Sequence, residues 1–327
     1  MITPNSLAID SRGGLVIAVA GARQIRRIVQ TTITSIAGIV PVGSSLEGIS
    51  ATSVALLEPT YVALDARGNV LVSDQIDNRV RTISPVGQIS TFAGNGIFGI
   101  DVGAGAPLST QVGAPRGLTF DTTGNLFISS GAGATIRRMT PAGVISNIAG
   151  GGGGFSGDNG PAINARFLGV EGVATDSAGN LYIADSSNTR IRRIAAVSQT
   201  VTTIAGGATP GFSGDGGPAS SALLSGPRGV AVDRTNNIYI ADTGNRRIRR
   251  IDPNGVITTV AGNQTLDKTT RNALVTLEIA GNLGVQTLTF VSGTALSAAL
   301  GMCAARDQRK LAWCGGRTRR AQSHEDR

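Results

Sequence analysis

Five segments of this chain end in a hydrophobic residue followed by Ala-Gly, closing at Gly38, Gly94, Gly150, Gly206 and Gly262. Each also carries an aspartate that ends a short apolar run, and Asp10, Asp65, Asp121, Asp176 and Asp233 lie 55, 56, 55 and 57 residues apart. A fixed period of this length marks one supersecondary unit copied along the chain, each copy completing its burial only against the next. The copies fill positions 1 to 262 of 327, which leaves one large body and a C-terminal tail.

The fifth copy reads as four strands: GVAVD (229–233), NIYIAD (237–242), RRIRRI (246–251) and GVITTVAG (255–262). Short β-branched runs with turn residues between them favour strands over helices. Between the first two strands stands RTNN, matching SAGN before Leu181, TTGN before Leu126, ARGN before Val70 and SRGG before Leu15. The third residue of each is Gly or Asn, as a tight hairpin with positive φ requires. Between the third and fourth strands lie the Pro-x-Gly turns SPVGQ, TPAGV and DPNGV. No helical apolar pattern runs through 1–262. The predicted fold class is therefore all-β, a β-propeller of four-stranded antiparallel blades at 4–38, 59–94, 115–150, 168–206 and 227–262, because radial closure protects the sheet edges. An aromatic content of 4% and 46 glycines fit an interior of small aliphatic side chains and many tight turns.

The motifs P-R-G-V-A-V-D (227–233), G-N-L-Y-I-A-D (179–185) and N-x-R-I-R-R-I (245–251) resemble the NHL repeat over residues 4–262. That resemblance implies a propeller, usually of six blades. The inserts GFSGDNGPA and GFSGDGGPA resemble those of large bacterial, often secreted NHL proteins, which implies an extracytoplasmic location. Two departures stand out: five copies are visible, and the fourth lacks the proline that opens the first strand, reading GVEG at 169–172. In the tail, LVTLEIA (274–280) and VQTLTFV (285–291) are predicted strands, so 263–300 reads as a degenerate blade or a small β/α appendage. The stretch 273–300 also resembles the IN motif of flagellins. Residues 301–327 are basic, show little periodicity and are expected to be disordered.

The formal charge is +8, yet 1–262 carries 20 arginines against 16 acidic residues and the tail 9 basic against 5 acidic. The repeats are thus no more basic than an ordinary surface, and nucleic acid is disfavoured as a partner. Cys303 and Cys314 both lie in the tail, so no disulfide staples the repeats. The start MITPNSLAIDSRGG has neither a basic nor an apolar leader region, and no run long enough to span a membrane occurs.

In a meander, successive connections alternate between the two faces of the disc. The inserts between copies and the loops between second and third strands then share one face, with Arg116, Phe155, Asp158, Glu171, Asn188, Phe212, Asp215, Arg228 and Asn245 as candidate binding residues. Asp10, Asp65, Asp121, Asp176 and Asp233 could form a carboxylate ring, but their place just ahead of a Gly or Asn turn fits turn acceptors better. The GDGG motif at Asp215 lacks the spacing of a calcium loop. Asp74 with Arg79, Asp185 with Arg190 and Asp242 with Arg247 share a five-residue offset that predicts a repeated ion pair, lapsing where Ala20 and Ser130 replace the aspartate. The Arg-Arg steps Arg192-Arg193 and Arg249-Arg250 put one arginine outward and its neighbour into the packing unless a bulge intervenes; since similar arginines recur in the copies, they read as scaffold.

The only histidine, His324, is in the tail, so the repeats hold no histidine base and no histidine zinc site. No metal or cofactor is expected, and no enzymatic activity. The expectation is a non-catalytic, monomeric binding or scaffold propeller presenting its loop-rich face to a protein, peptide or glycan. The alternatives are an RNA-binding NHL propeller, which the resemblance implies but which would need aromatics for stacking, and a calcium-dependent lactonase-like hydrolase.

Overall fold

A computed structural model describes residues 4–38, 46–100 and 103–262 in full, and only the backbone of the strands within 274–281, 284–291 and 311–312. The expectations for 263–300, for the flagellin-like stretch and for 301–327 lie outside the residues described with side chains. The body is five four-stranded antiparallel blades arranged as a propeller. The first blade comprises β1 (Pro4–Ile9), β2 (Leu15–Val19), β3 (Gln24–Val29) and β4 (Thr32–Ala37). A short strand β5 (Ile49–Ser50) precedes the second, made of β6 (Pro59–Leu64), β7 (Val70–Asp74), β8 (Arg79–Ile83) and β9 (Gln88–Ala93). The third holds β10 (Pro115–Phe120), β11 (Leu126–Ser130), β12 (Thr135–Met139) and β13 (Ile145–Gly150). The fourth holds β14 (Val170–Thr175), β15 (Leu181–Asp185), β16 (Arg190–Ile194) and β17 (Val201–Gly206), and the fifth β18 (Pro227–Val232), β19 (Ile238–Asp242), β20 (Arg247–Ile251) and β21 (Ile257–Ala261). Three-residue 3-10 turns join second to third strands in the first, third, fourth and fifth blades.

The hairpin chemistry is as predicted. Gly13, Gly68, Gly124, Gly179 and Asn236 all have positive φ, from 62° at Asn236 to 86° at Gly124. The recurring aspartates serve these turns: Asp176 accepts the amides of Ala178 and Asn180 on one oxygen and the Asn180 side chain on the other, at 3.0, 2.8 and 2.7 Å. Asp65, Asp121 and Asp233 repeat the arrangement with Asn69, Asn125 and Asn237.

Between third and fourth strands every blade carries a bulge, located at Ile36, Phe92, Ile148, Ile204 and Val260, the fourth-strand residues skipped by the pairing. The inserts wrap further than loops confined to one face. After leaving the top of one blade, each descends along the outer edge of the next: Ile49 pairs with Ile89, Gly105 with Ile145, Pro161 with Thr200 and Pro218 with Val256. They cover edges that would otherwise offer free hydrogen-bonding groups. Ala162, Ala165 and Phe167 then pass through the interface between the third and fourth blades, where they are buried with Ile136, Leu181 and Ile183.

Candidate functional site

The nine residues expected on the loop-rich face fall into two groups. Six form two copies of one clamp. In the fourth blade Arg192, fully buried, reaches Asp158 of the insert at 2.7 Å and Asp185 of β15 at 3.4 Å. Its guanidinium also donates to the carbonyls of Ser156 and Arg166 at 3.2 and 3.4 Å. Phe155 lies under Arg190, 3.9 Å from ring centre to guanidinium carbon, and Asn188 joins Asp185 to the Gly154 carbonyl. The fifth blade repeats each contact: Arg249 with Asp215 at 2.7 Å, Phe212 with Arg247 at 3.7 Å, and Asn245 between Asp242 and the Gly211 carbonyl. The inserts have little regular structure, so their carbonyls need donors from elsewhere, and a guanidinium with five N–H groups supplies several at once.

The predicted ion pairs require correction. Asp185 and Asp242 stand opposite Arg190 and Arg247 in register, but their salt bridges run two residues further, to Arg192 and to Arg249 at 3.9 Å. Asp74 accepts the amides of Leu57 and Glu58, while Arg79 pairs with Asp77 at 2.7 Å. An arginine is long enough to reach its diagonal neighbour across a hairpin, and the directly opposed arginine is taken by the phenylalanine of the insert. Burial pushes Asp74, Asp185 and Asp242 above the usual carboxylate range, against the pull of their hydrogen bonds and arginines. The Arg-Arg step is resolved by the same geometry: Arg137, Arg192 and Arg249 are its buried members, as is Arg81 where Thr82 replaces the second arginine, and Arg193 turns to Asn180 at 3.0 Å.

The other three residues, Arg116, Glu171 and Arg228, meet at the mouth of the central channel, as second residues of β10, β14 and β18. Arg116 donates to Glu171 at 2.5 Å. Beneath them lies Tyr61 of β6, whose hydroxyl crosses to the Arg228 carbonyl at 2.9 Å. Glycine follows each of the three mouth residues; a Cβ on Gly172 would come within 2.8 Å of the Arg228 carbonyl and 3.1 Å of the Tyr61 hydroxyl. Small residues in three blades thus leave room for one tyrosine to plug the axis. Burial raises both the Tyr61 hydroxyl and Glu171 above their ordinary values, the latter against the pull of Arg116 and Arg228. Sequence reasoning missed Tyr61, although it stands where glycine occupies three other copies. Among the described residues no three His, Cys, Asp or Glu side chains converge as a metal site, and no helix is long and apolar enough to cross a membrane.

Comparison with known proteins follows the same lines. The family model described as the teneurin NHL domain matches residues 207–286. Teneurin-3 of Danio rerio is 31% identical over 219 residues, a match covering 62% of this chain and 8% of that protein. The fold is shared with virginiamycin B lyase from Staphylococcus aureus, at a TM-score of 0.51 and 18% identity over 85% of this chain and 77% of the lyase. It is also shared with a gluconolactonase from Xanthomonas campestris, at 0.53 and 13% over 79% and 75%. The expectation that the chain is not an enzyme is corrected by these neighbours: the same architecture carries a lyase and a lactonase, so the fold gives no ground for setting catalysis aside. Repeat sequence, blade topology and the teneurin match agree, and the chain is an NHL-repeat β-propeller.

Proposed function

We propose that this propeller is a binding module whose loop-rich face docks onto a protein, in an extracytoplasmic setting. The observation that carries the reading is the set of large apolar side chains partly or largely in solvent on that face: Ile76, Ile97, Phe98, Phe155 and Leu168, with Phe98 the most exposed at 68%. They sit on loops of the second, third and fourth blades, over a scaffold held by the arginine clamps. Exposed apolar groups gathered on one side of a molecule mark a protein contact more often than a glycan or nucleic-acid contact. On the opposite face Val86, Val144 and Val197 are single tips of turns, and Val29 and Ile33 flank the turn between β3 and β4 of the first blade. The resemblance of the GFSGD inserts to those of secreted proteins supports the location.

The test is photo-crosslinking in the cell that makes the protein. A photoreactive residue at Phe98 is expected to capture one discrete protein, and the same residue at Val197 to capture none. Equal capture at both positions, or none at Phe98, overturns the proposal. Ile97→Ser with Phe98→Ser, read out from a crosslinker at Leu168, should reduce capture at least fivefold.

A further inference from the structure

Each innermost strand opens with an irregularity. Its pairing with the second strand shifts between Pro4 and Ser6, Pro59 and Tyr61, Pro115 and Leu118, Val170 and Val173, and Pro227 and Gly229. A bulge re-aims a side chain, and the second residue of every strand stands at this point. These residues are Asn5, Thr60, Arg116, Glu171 and Arg228. Thr60 is buried against the Ser73 and Pro115 carbonyls. Arg116 is held by Glu171, with both side chains about one-fifth to one-quarter exposed, at 24% and 20%. Arg228 differs from both: it is exposed, its main chain is pinned by Tyr61, and its guanidinium has no hydrogen-bond partner among the described residues. Glu171 lies close enough to feel its charge. One carboxylate thus stands among two guanidinium groups over a tyrosine floor, and one of those cations is left over.

We propose that the channel mouth is a carboxylate-binding well in which Arg228 takes an acidic side chain of a partner polypeptide, with Arg116 held in reserve by Glu171. The inference rests on the protein-binding reading of the same face and names the chemistry by which that partner is recognised. A guanidinium matches a carboxylate with two parallel hydrogen bonds, and a fixed main chain beneath it lowers the ordering cost. A nucleic acid fits less well. Phosphate backbones call for a row of cations and bases call for exposed aromatic rings, whereas one arginine is free here, Tyr61 is buried, and Glu171 repels a polyanion.

The groups facing Glu171 are Arg116 from β10, Arg228 from β18 and Tyr61 from β6. Tyr61 stays protonated, so Glu171 is the group that titrates. Its raised value means that, as pH falls, it takes up a proton before an ordinary glutamate of a ligand does, and this frees Arg116 to join Arg228 while the ligand is still partly ionised. The well should hold a carboxylate more tightly at mildly acidic than at neutral pH.

The experiment is an NMR titration of the full chain with acetyl-Glu-Glu-Glu-amide at low salt. Its control arms are the glutamine analogue, inorganic phosphate and a single-stranded RNA oligomer. The expected result is saturable binding of the glutamate peptide alone, weakened at least tenfold by Arg228→Gln and only partly by Arg228→Lys. Arg234→Gln, in a hairpin turn on the opposite face, should have no effect. Glu171→Gln should tighten binding severalfold at pH 7 and flatten the pH dependence; should that variant not fold, the pH dependence of the unaltered protein reads the same term. Equal binding by Arg228→Gln, or equal binding of the glutamine peptide, overturns the proposal. RNA binding at lower concentration than the glutamate peptide assigns the mouth to nucleic acid instead. Because the probe is small, a failed crosslink at Phe98 and a failed titration here are separate results.

Discussion

Four arginines among the most buried side chains of the molecule invert the usual expectation for that residue. Arg192 is tolerated because two carboxylates and two insert carbonyls surround it. Removing one partner of a buried ion pair leaves the others desolvated and unpaired, a loss of about 3 to 5 kcal/mol. Arg192→Met is therefore expected to lower unfolding free energy by that amount in urea denaturation. Arg193→Met, one residue on and bound to Asn180 alone, should cost under about 1.5 kcal/mol. Similar costs for the two would show that burial of the first is not what holds the insert. The Ala-Gly signature has an equally local reason. Gly206 has φ of 93°, and a Cβ there would lie 2.1 Å from the Thr189 carbonyl. Gly206→Ala should cost more than the roughly 1 to 2 kcal/mol of left-handed backbone alone, whereas Gly216→Ala, with positive φ but open space around it, should cost about that much.

At the scale of the element, an insert behaves as a strap tied at defined points. Gly216 and Ala219 donate to the Ile257 and Gly255 carbonyls along the outer edge of the fifth blade, and Asp215 ties the strap to Arg249. Asp215 and Asp242, on the same arginine, are shifted in opposite directions. Burial alone would raise Asp215, but Thr259 and Arg249 beside it outweigh burial and hold it below the usual range. Burial dominates at Asp242 and raises it. A depressed carboxyl contributes stability above its unfolded pKa, near 4, and loses it as pH falls through the folded value. A raised one contributes below its unfolded pKa and loses that contribution as pH rises through the folded value. Acidification should therefore neutralise Asp242 first without opening the strap and release Asp215 last. Protection of Gly216 and Ala219 against hydrogen exchange, taken relative to the intrinsic rate at each pH, is expected to hold from pH 7 to about 4 and to fall below. Asp215→Asn should exchange faster already at pH 7, and opening that began above pH 5 would contradict the assignment. The hairpins were legible in the sequence because Gly179 or Asn236 and its aspartate act within four residues. The clamp was half legible: Phe155, Asp158 and Asn188 were singled out, but as ligand contacts, since their partners lie 34 or 35 residues along and no local rule pairs them. Tyr61 reaches across 167 residues of sequence, and only the assembled axis reveals it.

For the whole molecule, the repeat is its own control, since one position can be compared in five environments. Inner strands pack in chain order, β1 on β6, β6 on β10, β10 on β14 and β14 on β18, and among the described residues no packing of similar extent joins β18 to β1. The consequence is visible at the start of the fourth strands. Ile33, Ile89, Ile145, Val201 and Ile257 occupy equivalent register positions opposite Ile28, Ile83, Met139, Ile194 and Ile251. The last four are fully buried beneath an insert and the preceding blade, while Ile33 is 39% exposed. Leu15 and Ile17 are likewise only partly buried where Leu126 and Ile128 are completely so. The hydrophobic gain from one side chain scales with the area it loses to solvent, and a cavity term is added only where neighbours enclose it. Ile257→Ala should then lower unfolding free energy by about 2 to 5 kcal/mol, and Ile33→Ala by under about 1.5 kcal/mol. Because sequence position and chemistry match, chain propensity cancels between the two substitutions and the difference reports how completely each blade face is covered. Equal losses in urea denaturation would mean that the face of the first blade is as enclosed in solution as the others, and that the propeller has no weak joint between its fifth and first blades.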